Sequence, residues 1–377
     1  MAGIYIHVPF CKQACHYCNF HFSTSMKLKN DFVEALLKEI RLQNQYLGNE
    51  IIETIYFGGG TPSLLDKTDL DQILQSLHLN FSIDPLAEVT LEANPDDINL
   101  QKLREWKDSG INRLSIGVQS FFEEDLKWMN RAHTADQSIN CIKLSQDAGF
   151  ENITIDLIYG SPGLTDEKWK ANIFTAIELG IPHLSCYALT VEPKTALHHQ
   201  IEKKIFQDVN ADDQARQFSL LTDWANENCY EHYEISNFAK KGFRSRHNTS
   251  YWQQKKYLGL GPSAHSYNQI SRQWNVANNA GYINSLREGK ILFEIEKLTN
   301  EQRLNEYIMT SLRTVEGVNL SYTENHFGKK TMESLKERSK KYQENGLVTM
   351  NGENLKLTRE GKFLADGIAA DLFFDDV

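Results

Sequence analysis

Three cysteines lie close together near the start of the chain, in the order Cys11, Cys15 and Cys18. This C-x3-C-x2-C spacing lets three thiolates hold a cuboidal iron–sulfur cluster while one iron keeps a free coordination position for a small molecule. Two other interpretations stay open on the triplet alone. The cysteines could bind zinc, with His16 or His21 as a fourth ligand, or two of them could form a disulfide. The absence of a second C-x2-C pair disfavours a closed zinc site.

Glycines and a carboxylate follow the next apolar runs of the sequence. Gly58, Gly59 and Gly60 come directly after residues 51–57, and the lack of a Cβ atom lets their backbone approach a bound molecule closely. Glu92 follows a shorter run, and its carboxylate can accept hydrogen bonds from a ligand. An ordinary strand-ending turn is the simpler interpretation of the glycines, but three in a row before Thr-Pro favour a ligand loop.

The elements that must position these residues follow from the hydrophobic periodicity. The first strand ends at Pro9, and five further strands are predicted at residues 51–57, 88–91, 113–118, 152–159 and 183–189. Helices are predicted between them at residues 30–46, 68–79, 100–109, 134–148 and 166–179. This alternation is typical of right-handed parallel βα units. Six strands are too few for a closed eight-stranded barrel, so we expect an α/β fold with an open, partial (βα)6 TIM-like barrel.

The predicted strands bring the candidate residues to one rim of that barrel. The cysteine loop, the glycine triplet, Glu92, Gln119 and Asp156 all lie at or just past strand C-termini. In barrel-like α/β folds this rim carries the ligand site. The strand prediction and the positions of the polar residues therefore indicate the same site.

Beyond residue 190 the pattern is less regular. A helix is predicted at residues 212–228, then a strand at 231–236 and a connector rich in glycine and aromatic residues. Helices follow from residue 298, and two short strands are joined by an Asn351-Gly352 turn signal. We therefore divide the chain into a partial barrel (1–235), a connector (236–295) and a small winged-helix-like C-terminal domain (296–377).

A series of short motifs runs along most of the chain. They are Tyr5-Ile-His-Val-Pro-Phe-Cys11, the cysteine triplet, Phe57-Gly-Gly-Gly-Thr-Pro62, Leu91-Glu-Ala-Asn-Pro95, Ser115-Ile-Gly-Val-Gln-Ser120, Asn130-Arg131, Ile155-Asp-Leu-Ile-Tyr-Gly160 and His247-Asn-Thr-Ser-Tyr-Trp252. In this order they resemble the radical S-adenosylmethionine (SAM) superfamily, and within it the HemN/HemW group of coproporphyrinogen dehydrogenases and heme chaperones. The resemblance implies a radical SAM partial barrel with a [4Fe–4S] cluster on the three cysteines and SAM at the open iron.

The resemblance also implies roles for individual residues. Two tyrosines flank the cluster, and the other residues surround the SAM pocket or a second nucleotide pocket beside it. These cofactor-binding candidates are Tyr5, Tyr17, Gly58, Gly59, Gly60, Glu92, Gln119, Arg131 and Asp156. No catalytic acid, base or nucleophile is assigned.

A second constellation surrounds His247 and combines histidines with aromatic residues. Tyr251 and Trp252 follow His247 closely, and His265 comes after a glycine-rich turn. Imidazole is a common axial ligand of heme iron, and aromatic side chains suit the faces of the macrocycle. The motif resembles the heme-binding signature of the chaperones, which implies heme as cargo with His247 as its ligand. A structural role for His247 stays open.

Two features separate this chain from the dehydrogenase pattern. That pattern has a further cysteine two residues after the triplet, where this chain has Phe20. It also has an extension before the cluster loop that helps enclose the substrate, whereas Cys11 lies almost at the start. We therefore expect a heme chaperone that hands heme to acceptor proteins and does not convert coproporphyrinogen III. The alternatives are the dehydrogenase itself and a scaffold whose cluster only stabilises the fold.

Composition and charge limit the classes of partner that this protein is expected to bind. The 377 residues carry a formal net charge of −10, which argues against a general nucleic-acid binder because such proteins show a basic surface. Met1-Ala-Gly runs directly into the first strand, and no apolar run approaches the ~20 residues that cross a bilayer. We expect a cytoplasmic protein that associates with membranes only through its partners. The implied partners are heme, heme-accepting proteins and an electron donor for the cluster.

Overall fold

The computed structural model describes residues 1–374, and one twelve-stranded sheet organises most of them. Six parallel strands, neighbours in sequence order, form its centre. They are β1 (Ala2–Val8), β2 (Ile52–Gly59), β3 (Ile83–Ala93), β4 (Arg113–Gln119), β5 (Asn152–Tyr159) and β6 (His183–Ala188). The six predicted strands are confirmed, and β3 begins earlier than its pattern indicated.

Helices connect these strands, as the alternation predicted. They are α1 (Lys29–Leu42), α2 (Lys67–Asn80), α3 (Leu100–Asp108), α4 (Glu123–Trp128), α5 (Ala135–Asp147) and α6 (Asp166–Glu178). Asp66 and Thr134 begin α2 and α5 with capping boxes, in which side chain and backbone satisfy each other's free groups. Gly149 and Gly180 follow α5 and α6 with positive φ angles, the conformation that commonly ends a helix. The short helix α4 had no clear signal in the sequence.

Residues 196–297 extend the sheet on both sides. Their elements are α7 (Ala196–Glu202), α8 (Ala211–Glu227), β7 (Glu231–Glu234), β8 (Asn237–Ala239), α9 (Arg246–Trp252), β9 (Lys256–Leu260), β10 (His265–Tyr267), β11 (Ser271–Asn275), α10 (Asn279–Arg287) and β12 (Phe293–Lys297). Strand β9 runs parallel to β1, and β10 to β12 continue from it as antiparallel strands. Strands β8 and β7 add to β6 at the other side. The sheet therefore stays open, with β12 and β7 as its edges.

The last part of the described chain forms a separate small core. Its elements are α11 (Asn300–Leu312), β13 (Val318–Asn319), α12 (Leu320–Phe327), α13 (Lys329–Glu344), β14 (Val348–Asn351), β15 (Asn354–Leu357), α14 (Arg359–Lys362) and α15 (Ala365–Asp371). Helices followed by the β14–β15 hairpin give the winged-helix-like arrangement that was predicted. The domain boundaries predicted at 235/236 and 295/296 stay a prediction. The last residues of the predicted C-terminal domain, 375–377, lie outside the described residues.

The core of the large domain forms where side chains of the central strands pack against the helices that connect them. Ile6 and Phe57 on the central strands pack in the same buried cluster as Leu36 of α1 and Trp106 of α3. Fully burying a side chain of this size stabilises the fold by roughly 1.5–3 kcal/mol. These contacts hold the C-terminal ends of β1 to β6 in one rim. In the part of the chain that the structure describes, no helix is long and apolar enough to cross a membrane.

Candidate functional site

The cysteine loop starts where β1 ends and is tied to its own flanks. Cys11 donates its backbone N–H to the Ser23 carbonyl at 3.0 Å, and Ser23 donates its N–H back to the Pro9 carbonyl at 2.9 Å. Inside the loop, Cys18 donates its N–H to the Cys15 carbonyl at 3.3 Å. Because Pro9 cannot donate a backbone hydrogen bond, the strand ends there and the loop begins.

The segment after α4 holds the far side of this loop. Gln13 donates from Nε2 to the side-chain Oδ1 of Asn130 at 2.8 Å, and Asn130 donates from Nδ2 to the Ala14 carbonyl at 2.8 Å. The Nδ1 atom of His16 hydrogen bonds to the Trp128 carbonyl at 2.8 Å. Asn130 has a φ of 57°, a conformation that asparagine tolerates better than most residues. The Asn130-Arg131 motif thus positions the cysteines.

A cavity of about 440 Å³ opens at the C-terminal ends of the central strands. The structure brings ten of the predicted site residues to its wall: Cys11, Cys15, Tyr17, Cys18, Gly59, Gly60, Glu92, Gln119, Arg131 and Asp156. Tyr5, Gly58 and His247 do not line it. The volume is within the range of sites that enclose one small molecule, ~300–1,000 Å³.

Arg131 is the cation of this cavity. It donates from Nη1 to the Cys15 sulfur at 3.3 Å, and from Nη2 to the Asn94 side chain at 2.8 Å and the Gly117 carbonyl at 2.7 Å. Its Nε atom is buried and has no hydrogen-bond partner. Burial raises the pKa of Cys11 to about 11, whereas the nearby Arg131 charge acts in the opposite direction. The guanidinium is therefore placed to favour the thiolate form.

Two of the carboxylates that line the cavity lie on central strands, Glu92 on β3 and Asp156 on β5. Burial, followed by the charge of Asp156, raises the pKa of Glu92 to about 7. Burial raises the pKa of Asp156 to about 6. The Tyr56 hydroxyl donates to Glu92 Oε1 at 2.8 Å and fixes this carboxylate. A ligand with positive charge would relieve the mutual repulsion of the two groups.

Gln119 lies at the end of β4 in a strained backbone conformation. Its φ is 67°, which costs a non-glycine residue of the order of 1–3 kcal/mol. The side chain is buried and lines the same cavity as Arg131 and Asp156. Backbone strain of this kind persists where the surrounding structure requires it, and it clusters at ligand sites.

The glycine triplet serves the packing of the protein as well as the cavity. A Cβ atom at Gly59, whose φ is +101°, would lie 2.5 Å from His7 Nδ1, and one at Gly60 would lie 2.6 Å from the Phe10 carbonyl oxygen. At Gly58 it would lie 2.9 Å from the Tyr56 ring. The absence of Cβ atoms was predicted to let a ligand approach. In the structure their places are already taken by side chains and backbone of the same chain.

His247 lies away from the cavity, on the face of α9 that covers the sheet. It is 1% exposed, its Nδ1 hydrogen bonds to Thr54 Oγ1 at 2.7 Å, and its Nε2 to the Tyr251 hydroxyl at 2.8 Å. Burial lowers the pKa of His247 to about 3. Both ring nitrogens are engaged, so the structure does not support the prediction that His247 is an axial heme ligand. It supports the structural role that stayed open.

Tyr5 belongs to the same buried group and not to the cavity wall. Its ring stacks on Tyr56 at 6.1 Å and on His247 at 6.4 Å between centroids. Tyr56 in turn stacks on His247 at 5.0 Å. Tyr5 therefore acts on the cavity indirectly: it packs on Tyr56, whose hydroxyl hydrogen bonds to Glu92.

The residues of the His247–Trp252 motif lie in two different environments. Whereas His247 and Tyr251 face the sheet, Thr249 and Trp252 line another cavity, of about 220 Å³, beside residues of α11 and α12. The indole Nε1 of Trp252 is buried without a hydrogen-bond partner. A seven-residue helix with two faces explains why the motif cannot act as one pocket.

Sequence reasoning missed several residues of the site. Asn94 holds Arg131, and Thr61 lines the cavity next to the glycine loop. Tyr56 holds Glu92. Asn94 and Thr61 lie within motifs that were recognised, so their positions were a usable signal. Tyr56 precedes the glycines inside a buried strand, where a tyrosine has no distinct pattern.

The thiols fit an iron–sulfur cluster better than the two alternatives. None of the described cysteines is in a disulfide. A single zinc ion would hold its sulfur ligands about 3.8 Å apart, as follows from tetrahedral Zn–S bonds of ~2.3 Å. Among the described residues, the one group of three donor atoms that lies within 4.8 Å is elsewhere, on α7. The three cysteine thiols do not form such a group, and with the unpaired Arg131 Nε beside them they suit a larger, anionic group.

Known proteins match the chain along nearly its whole length. Residues 5–176 match the radical SAM superfamily, and residues 298–364 match the HemN C-terminal domain. The heme chaperone HemW of Bacillus subtilis is 33% identical over 373 residues, with 98% of each protein covered. The chain belongs to the HemW family. The heme chaperone HemW of Escherichia coli is 36% identical over 322 residues, 83% of each protein.

A solved structure shows the same fold. The coproporphyrinogen III oxidase HemN from Escherichia coli, a radical SAM enzyme, superposes with a TM-score of 0.84 over 99% of this chain and 90% of that one. The sequence identity is 22%, so this likeness establishes the fold and leaves the activity open. Membership of the radical SAM superfamily implies a [4Fe–4S] cluster and SAM as cofactors of the HemW family.

Proposed function

We propose that this protein is a heme chaperone, which binds heme and delivers it to acceptor proteins from a radical SAM scaffold. The observation that carries the proposal is the match with the heme chaperone HemW of Bacillus subtilis, which extends over 98% of both chains. Relatives with the same name from Lactococcus lactis and Mycobacterium tuberculosis also match over most of their length. The proposed partners are heme, heme-accepting proteins and an electron donor for the cluster.

We further propose that Cys11, Cys15 and Cys18 hold the [4Fe–4S] cluster. Burial raises the pKa values of Cys11 and Cys18, so cluster binding must release protons from the thiols. Arg131 assists because its guanidinium donates to the Cys15 sulfur. A [4Fe–4S] cluster held by these three thiolates would supply one-electron reduction to bound SAM.

The remaining cavity residues are proposed to bind SAM. This molecule carries a sulfonium and an ammonium group, and Glu92 and Asp156 offer two carboxylates within the same cavity. Burial raises the pKa values of both carboxyls, and a cationic ligand would lower them again because it stabilises the ionised forms. Gln119 and the backbone of Gly59 and Gly60 complete the wall. Tyr17 is proposed to flank the cluster.

Oxidative decarboxylation of coproporphyrinogen III is the second candidate function, and the shared fold with HemN is the observation that favours it. Phe20 argues against it. This side chain lines the cavity, is 65% exposed, and occupies the position at which the dehydrogenase pattern has a further cysteine. A phenylalanine offers neither a thiol nor a metal ligand there, so we propose that the chaperone function holds.

Two assays on the cluster-loaded protein separate the candidates. Heme titration should give a saturable shift of the heme absorption band, and an apo heme protein added afterwards should take the heme up. An anaerobic assay with coproporphyrinogen III and SAM should give no decarboxylated product. Efficient product formation would contradict the chaperone proposal. Absence of any heme binding would favour a scaffold whose cluster only stabilises the fold.

A further inference from the structure

A group of metal-ligating side chains lies outside the cavity, on the short helix α7. His198, His199 and Glu202 each offer one ligand atom, and these atoms all lie within 4.8 Å of one another. Both histidines face the same carboxylate oxygen, because His198 Nδ1 is 3.6 Å and His199 Nδ1 is 3.3 Å from Glu202 Oε2. Glu202 follows His198 by four residues and His199 by three, which are the spacings at which helix side chains are neighbours.

One ring nitrogen of this group has no hydrogen-bond partner, whereas His199 Nδ1 hydrogen bonds to Glu202 Oε2 at 3.3 Å. His198 Nδ1 is a buried atom with no hydrogen-bond partner. By contrast, both ring nitrogens of His183 and of His247 are hydrogen bonded, and His7 uses Nε2 for the His21 carbonyl. An orphaned imidazole nitrogen that points at a second imidazole and a carboxylate lacks the partner that an ion would supply.

The direction of the three donors decides what kind of ion fits. In heme, the macrocycle occupies four positions around the iron, so each face has room for one axial ligand. Three donors that converge from one side cannot all reach such an iron. A non-heme ion accepts two imidazoles and a carboxylate on one side and keeps its other positions for water. The geometry therefore favours a small divalent ion over heme iron.

The helix that carries the group is held firmly at its start. Thr195 accepts the backbone N–H of His198 at 3.2 Å, and Leu197 donates its N–H to the His16 carbonyl at 2.7 Å. Leu197 is also buried in a small cluster with Met129. Because His16 lies between two of the cysteines, α7 is anchored directly to the cysteine loop. Fixed anchoring lowers the conformational entropy that the two histidines lose on binding an ion.

We propose that His198, His199 and Glu202 form a binding site for one divalent transition-metal ion, of the Co²⁺, Ni²⁺ or Zn²⁺ type. Imidazole and carboxylate ligands suit these ions, whereas Mg²⁺ and Ca²⁺ prefer sites made of oxygen ligands. The site is separate from the cysteine cavity, whose wall does not include these three residues.

The test is an anaerobic titration of the cluster-loaded protein with Co²⁺ and with Zn²⁺. We expect one ion per chain, with a visible Co²⁺ spectrum of mixed nitrogen and oxygen ligation. The variants H199Q and E202Q should each weaken binding at least tenfold, and the double variant H198Q/H199Q should abolish it. His78, an exposed histidine on α2, provides the matched control, and H78Q should bind as the wild type does.

Three results of the metal titration would overturn the proposal. They are the absence of stoichiometric binding to the wild type, unchanged binding in H198Q/H199Q, and equal weakening in H78Q. A heme titration of the same variants distinguishes a site for a free divalent ion from a site for heme iron. Loss of heme binding in H198Q/H199Q with unchanged Zn²⁺ affinity would make these residues heme ligands and would also overturn the proposal. Melting temperatures check that each variant is folded, which we expect because the side chains of His198 and His199 are 33% and 59% exposed.

Discussion

Replacing His247 with alanine should destabilise the protein strongly, because the imidazole is a buried link between two strands and a helix. The ring is 1% exposed and hydrogen bonds to Thr54 and to Tyr251. Its loss leaves two buried hydroxyls without partners, at about 1–3 kcal/mol each, and also removes the stacking on Tyr56. We expect the free energy of unfolding to fall by roughly 3–5 kcal/mol, a large share of a typical total.

The T54V variant isolates one of these contacts. Valine has nearly the shape of threonine and lacks the hydroxyl that bonds to His247 Nδ1. We expect a loss of roughly 1–3 kcal/mol, the cost of one buried nitrogen without a partner. Both variants are compared with the wild type by urea denaturation, followed by circular dichroism. The control is H265A, because His265 is exposed and its ring stacks on Trp274 at the surface.

The pH dependence gives a second measure of the same role. The folded protein keeps His247 neutral, since burial lowers its pKa to about 3, whereas the unfolded chain binds a proton near pH 6.5. The unfolded state therefore holds more protons between these values, and this histidine reduces stability as the pH falls from about 6.5 towards 3. H247A should lose that contribution. An unchanged unfolding midpoint in H247A, together with a lost heme spectrum, would refute the structural interpretation.

Three further predictions test other parts of the structure. G59A should destabilise the protein by more than G163A, by roughly 1–3 kcal/mol in urea denaturation, because both glycines have positive φ but a Cβ meets His7 only at Gly59. Burial raises the pKa of Glu39 to about 7, so the free energy of unfolding of the wild type should fall by up to roughly 3 kcal/mol as the pH rises from 4.5 to 7. E39Q should show a smaller dependence on pH in this range. C15A should lose the iron that anaerobic reconstitution supplies, whereas C229S, at an exposed cysteine, should keep it; full iron content in C15A would contradict the cluster assignment.

Local patterns made the centre of the fold predictable. Both ends of β2, β4, β5 and β6 were predicted to within two residues, and so was the C-terminal end of β1. Each of these strands is a short apolar run bounded by polar or glycine residues. The outer strands β9 to β12 were missed. They are three to five residues long and contain lysine, glutamine, asparagine and glutamate, so their strand character comes from pairing with neighbours.

The candidate site was predictable where its residues follow one another or end predicted strands. Cys11, Cys15 and Cys18 are adjacent in a loop, and Glu92 and Asp156 belong to strands that were recognised. Their shared place at one rim follows from the parallel order of the strands. The contact of Arg131 with the Cys15 sulfur joins residues 116 positions apart, and the resemblance implied that Arg131 belonged there without implying this contact.

The sequence by itself determined the parallel βα core, the thiolate triplet and the family, because each depends on residue types at short spacing. Only the tertiary structure decided which way side chains face. His247 turns towards Thr54, which is 193 positions away in the sequence, and both its nitrogens are thereby satisfied. Gly59 meets His7 from another strand, and this contact makes its missing Cβ a packing requirement. Such outcomes depend on which groups compete for the same buried space and hydrogen bonds, and short-range sequence patterns do not record that competition.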